Sequence, residues 1–156
     1  MQRFRYPLES LLQVRRVREQ MAEGALRRAQ TRLRKAERRL NQLKEAQETL
    51  AIAWREALRN EEEPREVALM AHRWQWLEQQ RHLAEQQVAE ARAEVERQWN
   101  TYRERHRERE AVETLRERAW QQWLRQCRQA EQKTLDERAL RDFIMRSEEE
   151  TILPTG

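Results

Sequence analysis

The sequence is poor in the residues that let a chain turn. Two glycines and three prolines in 156 residues leave few places for reversals, and a packed sheet protein of this length needs many. A single cysteine, Cys127, excludes an internal disulfide and fits a reducing compartment. No apolar run approaches the roughly 20 residues that span a bilayer. The opening Met1-Gln-Arg-Phe-Arg-Tyr-Pro-Leu8 has no hydrophobic segment of signal-peptide length. These absences point to a cytoplasmic protein.

Catalytic ingredients are equally scarce. His72, His82 and His106 do not stack on one helix face, and neither His-x-x-x-His nor Cys-x-x-Cys occurs, so no metal site is expected. Gly24 stands alone, with no glycine-rich phosphate loop around it. Glu61, Glu62 and Glu63 form an acidic cluster at a turn, which reads as a solvated tip rather than an acid and base pair. The expectation is a protein with no catalytic residues and no cofactor, not an enzyme.

What is abundant is charge, 38% of residues against 38% hydrophobic, carried on Ala, Glu, Arg, Leu and Gln at helical spacing. The net charge of +4 and pI near 9.8 would suit nucleic acid. However, the 32 basic and 28 acidic residues are mixed along the chain, as on an ion-paired helix surface, so no nucleic-acid partner is expected. Lysine occurs only at 35, 44 and 133; the remaining cations are Arg, which pairs carboxylates in bidentate fashion.

A heptad stripe runs through positions 8, 12, 15, 19, 22, 26, 29, 33, 36, 40, 43, 47, 50, 54 and 57, apolar at all but Arg15, Glu19 and Gln47. It breaks at Asn60-Glu-Glu-Glu-Pro64, where Asn60 suits a helix C-cap and Pro64 disfavours helix at the preceding residue. A second stripe follows at 67, 70, 74, 77, 81, 84, 88, 91, 95, 98 and 102, apolar at all but Arg81 and Gln98. Two apolar stripes joined by a short turn predict an all-α, long antiparallel two-helix coiled-coil hairpin. The expected bounds, within one domain 1–156, are a first helix over about 7–60, a turn at 60–64, a second and longer helix over about 65–147, and a frayed tail at 148–156. If Ala57 faces Val67, Glu19 falls near Arg105, and helix beyond about Arg116 has no partner.

That overhang carries Val112, Leu115, Ala119, Trp120, Trp123, Leu124, Cys127 and Ala130 within half the helical circumference. An unpartnered apolar face marks an interaction surface, and Phe4 with Tyr6, or a second copy of the chain, is the alternative cover. Trp76 lies two residues from the seam residue Trp74 and must point elsewhere, which makes it a binding candidate. The termini add a basic group, Arg3, Arg5, Arg15, Arg16, Arg18, Arg138 and Arg141.

Three segments resemble the FliJ family of the bacterial flagellar type III export apparatus: Phe4-Arg-Tyr-Pro-Leu-Glu-Ser-Leu-Leu-Gln-Val-Arg15, Arg73-Trp-Gln-Trp-Leu-Glu-Gln-Gln80, and Glu131-Gln-Lys-Thr-Leu-Asp-Glu-Arg-Ala139 followed by Phe143 and Arg146. The resemblance covers essentially the whole chain. It implies a central stalk whose joined termini insert into a hexameric flagellar export ATPase and promote ring assembly. The hairpin then contacts the export gate membrane protein, and export chaperones are further partners. It also implies a location at the cytoplasmic face of the flagellar basal body, peripheral to the membrane through partners only, and a monomer when alone. On these expectations the partner-binding residues are Arg3, Arg5, Arg15, Arg16, Trp76, Trp120, Trp123, Leu124, Arg138 and Arg141. An injectisome stalk, a nucleic-acid-binding coiled coil and a structural homodimeric coiled coil are the competing readings.

Overall fold

A computed structural model describes residues 3–152. Among them the chain forms two helices, α1 (Glu9–Arg59) and α2 (Pro64–Ile152), and no strand. It is the expected all-α antiparallel hairpin with a longer second helix. Two compact units make it up, Arg15–Glu108 and the described residues of Met1–Val14 with Arg109–Gly156, and each is taken by itself.

In Arg15–Glu108 the heptad stripes become the interface. Leu43, Leu50, Leu77 and Ala84 form a buried cluster against which Leu40, Met70 and Trp74 pack. Ala22, Leu26, Ala29, Ala57 and Val88 continue the buried line. Trp54 and Trp74 meet edge to face, ring centroids 6.4 Å apart, a geometry that the ring quadrupoles favour.

The polar interruptions of the stripes are where the two helices grip. Gln47, only 3% exposed, donates its amide to Glu78 at 2.7 Å and accepts from Arg81 at 3.0 Å. The odd residue of one stripe is thus answered by the odd residue of the other. Glu19 meets His106 at 3.0 Å, one residue beyond the Arg105 expected from spacing. Arg105 instead donates to Glu108, which also accepts from Arg15 at 2.5 Å. A helix wheel fixes a face but leaves neighbouring positions on the partner nearly equivalent, and side-chain reach decides between them.

The turn combines several local devices. Asn60 closes the last helical hydrogen bond of α1, to Glu56, and Glu62 N–H reaches back to Ala57 at 3.1 Å. Between them Glu61 has φ 48°, the left-handed residue of a Schellman-type ending in which glycine or asparagine is usual. Pro64 opens α2 as its first residue, where its missing N–H costs nothing. A hydrogen bond shared with Glu66, then burial and the Glu66 charge, raise the Glu62 carboxyl above its ordinary range.

In the other unit, the Tyr6 carbonyl accepts from Glu9 N–H at 3.2 Å. Pro7 and Leu8 therefore form the turn before α1 instead of its first residues. Leu12 and Val112 are buried. Arg116 bonds Glu9 at 2.9 Å, and the Tyr6 hydroxyl donates to the Val112 carbonyl at 3.3 Å. α2 runs on through Ile152, past the expected end at Ser147. No glycine or proline interrupts 148–152, and Thr151 Oγ1 bonds the Ser147 carbonyl at 2.7 Å. The helix thus continues into the expected tail, whose remainder, residues 153–156, lies outside the described residues.

Two predictions follow from these contacts. An L-residue in the left-handed region carries a penalty of roughly 1–2 kcal/mol, part of which glycine returns as unfolded-state freedom. Glu61→Gly should therefore stabilise the hairpin by about 0.5–1 kcal/mol in urea titration. An unchanged or lower midpoint would mean the turn conformation is otherwise enforced. For Glu108, burial alone would raise the carboxyl, but hydrogen bonds from Arg15 and Arg105, with their charges, hold it below the ordinary carboxylate range. A depressed carboxyl contributes stability that is complete above its unfolded value and is lost as pH falls through its folded value. Glu108→Gln cannot titrate, so its Tm should fall less than the parent's between about pH 6 and about pH 3. Parallel pH profiles would show that the site contributes nothing to acid sensitivity.

Candidate partner-binding surfaces

Trp120 and Trp123 lie three residues apart on α2 and so share a helix face; their rings stack at 5.0 Å and 27°. Phe4 closes over both, edge-on to Trp120 at 5.0 Å and tilted to Trp123 at 5.7 Å. The Arg116 guanidinium carbon stands 5.9 Å from the Phe4 ring centre, within the range of a cation–π contact. The alternative cover is the one seen: the lead before α1 packs over these tryptophans, and they and Leu124 beside them are half-buried. The reason lies in the backbone. Arg3 to Tyr6 are not helical, and unwound residues can advance up to ~3.3 Å each along the partner helix against 1.5 Å in a helix. Helical register therefore understates how far the lead reaches.

Beyond this cluster the unit changes character. From Arg128 to Ile152 every residue of α2 is exposed. Arg138 and Arg141 lie in this stretch, and Arg3 and Arg5 are exposed on the lead. So are Leu135, Leu140, Phe143 and Ile144, which with Ala139 repeat at i, i+4, i+5, i+8 and i+9 and make one side of the helix apolar. Sequence reasoning stopped the apolar arc at Ala130 and missed this second stripe. Its spacing is legible in residues 135–144.

Arg15 and Arg16 belong to the unit Arg15–Glu108. Arg15 is half-buried and engaged with Glu108, which makes it a brace between the helices. In the same unit, Trp74 turns to Trp54, and Trp76 points outward at 51% exposure, as a two-residue separation on a helix requires. Trp99 flanks the seam, its ring 5.9 Å from Tyr102, and Tyr102 lies 5.9 Å from His106. Among the described residues no three His, Cys, Asp or Glu side chains gather as a metal site, and no helix is long and apolar enough to cross a membrane.

Removing Phe4 gives a direct test of the aromatic closure. Phe4→Ala should cost about 1–2 kcal/mol, red-shift the tryptophan emission and raise its quenching by acrylamide, while the far-ultraviolet helix signal stays near the parent's. Unchanged quenching would place Phe4 away from the pair in solution.

No curated protein and no solved structure matches the chain. The family model described as flagellar FliJ protein matches residues 4–148. With that match over nearly its whole length, the chain belongs to the FliJ family and is a component of the flagellar export apparatus.

Proposed function

We propose that this chain is the non-catalytic central stalk of the flagellar export ATPase ring. It promotes ring assembly, couples the ring to the export gate membrane protein and interacts with export chaperones. One observation carries the reading: the stretch of α2 from Arg128 to Ile152, exposed on every side, with one apolar side and Arg138 and Arg141 among its cations. Such a helix gains burial only inside another protein, and a ring lumen can surround it. Hydrolysis belongs to the ATPase, and this chain contributes differential affinity. A protein that binds the assembled ring more tightly than free subunits shifts assembly by mass action. Location at the cytoplasmic face of the basal body then follows from its partners. The flagellar character of the matching family favours this reading over the injectisome stalk.

The test adds purified protein to the cognate ATPase and measures hexamer population and ATP turnover. Both should rise, and Arg138→Glu with Arg141→Glu should blunt the rise while leaving the helical spectrum unchanged. An unaltered hexamer population and turnover with the parent protein would sink the stalk role.

A further inference from the structure

The outward side of α1 takes no part in the stalk reading, and between Val17 and Arg38 its residues are sorted. Val17, Met21, Gly24, Arg28, Thr31, Lys35 and Arg38 follow one another in alternating steps of four and three. They form a line of ~32 Å on the side of the helix opposite the buried Ala22, Leu26 and Ala29. The line begins apolar, with Val17 52% and Met21 68% exposed, and ends basic. No carboxylate shares it, because Glu19, Glu23 and Glu37 lie off the line and meet His106, Arg27 and Arg92. Arg28, Lys35, Arg38 and the flanking Arg34 are exposed, and none pairs with a carboxylate among the described residues. Gly24 stands where the apolar part meets the basic part. Glycine inside a helix is less stable than alanine, and nothing in the chain asks for it here. A Cβ would meet only the Arg28 guanidinium, at 3.5 Å, an ordinary contact with the end of a flexible side chain. A glycine that the fold does not use leaves the helix backbone open to close approach from outside.

We propose that this line docks an acidic helix of another protein. The helix crosses at Gly24, sets apolar side chains on Val17 and Met21, and lays carboxylates along Arg28, Lys35 and Arg38. Complementary charge selects the sign of the partner, and the arginine fork takes a carboxylate two oxygens at a time. Phosphate would satisfy the same cations, but the surfaces that carry phosphate do not fit the rest of the line. Nucleic-acid phosphates offer nothing to Val17 and Met21, and unpaired bases need aromatic platforms, which residues 17–38 lack. A helix lying on a membrane keeps apolar residues along one side and cations along the other. Here apolar and basic residues succeed one another along the axis on one side. Exposed apolar side chains beside bare backbone suit the ridges of a packed helix. Docking there leaves the buried seam between α1 and α2 intact, and it holds independently of whether the chain serves as a stalk.

Fluorescence anisotropy of the full chain with designed probes tests this. Two dye-labelled, stapled helical peptides of about 21 residues carry leucine on one face of a terminal heptad, at one end or the other. Glutamate fills the same face of the remaining heptads, and control peptides carry lysine instead. The parent should bind a glutamate peptide at least about tenfold more tightly than its lysine control. Arg28→Glu with Lys35→Glu and Arg38→Glu should reverse that order. Circular dichroism checks folding, and the corresponding triple alanine variant, which should bind both peptides alike, stands in if the first is not folded. Gly24→Ala separates docking from stability. It should raise Tm, since alanine favours helix, yet weaken peptide binding about fivefold or more, since a methyl intrudes at the crossing. A parent that binds neither glutamate peptide overturns the proposal, whether or not it binds phosphatidylglycerol vesicles or duplex DNA measured alongside. Equal affinity for glutamate and lysine peptides, or undiminished binding by Gly24→Ala, overturns it as well.

Discussion

A heptad seam holds two helices together but leaves them free to slide, because a shift of seven residues sets apolar against apolar again. In Arg15–Glu108 the slip is blocked by a contact that exists in one register only, Gln47 held between Glu78 and Arg81. A displaced Gln47 would bury its amide among leucines without partners, at a cost of about 1–3 kcal/mol. The neighbouring contacts assume that setting. Trp54 can reach Trp74, Glu19 can reach His106 and Arg15 can reach Glu108 only if residues on the two helices oppose one another as Gln47 and its partners do.

Most of the fold could be read in the residues. The two stripes, the break at Asn60 to Pro64 and the inequality of the arms follow from spacing and from what proline forbids, and these are strong local constraints. Partners across the seam were less legible. Gln47, Arg81 and Glu19 stood out as exceptions to the pattern, but spacing along one helix does not say which atoms on the other will answer them. The covering of Trp120 and Trp123 by Phe4 stood only as an alternative, since register counted in helical steps does not apply to a lead that is not wound. The second apolar stripe, Leu135 to Ile144, was written in the sequence and went unused because Lys133 and Glu137 interrupt the seven-residue spacing before it.

The two kinds of arginine in this protein illustrate how position decides role. Arg15 and Arg116 each meet a carboxylate on the opposing helix, so their charge is spent inside the fold. Arg138 and Arg141 sit on a stretch of helix that is exposed throughout. A basic composition that suggested nucleic acid at first sight thus divides into braces and a free remainder, and only the remainder can recognise anything.

The stretch from Arg128 to Ile152 also has a thermodynamic character of its own. Every residue in it is exposed, so its helix rests mainly on backbone hydrogen bonds and short-range pairs such as Gln132 with Asp136 at 3.0 Å. Three glutamates, Glu148, Glu149 and Glu150, stand at the negative end of the helix dipole and oppose it. Amide protons in such a segment exchange through local opening, far more easily than those beside Leu50 or Leu77. A protein that enclosed this segment would supply the missing burial, and the resulting negative heat-capacity change would exceed that of docking two preformed surfaces of equal size.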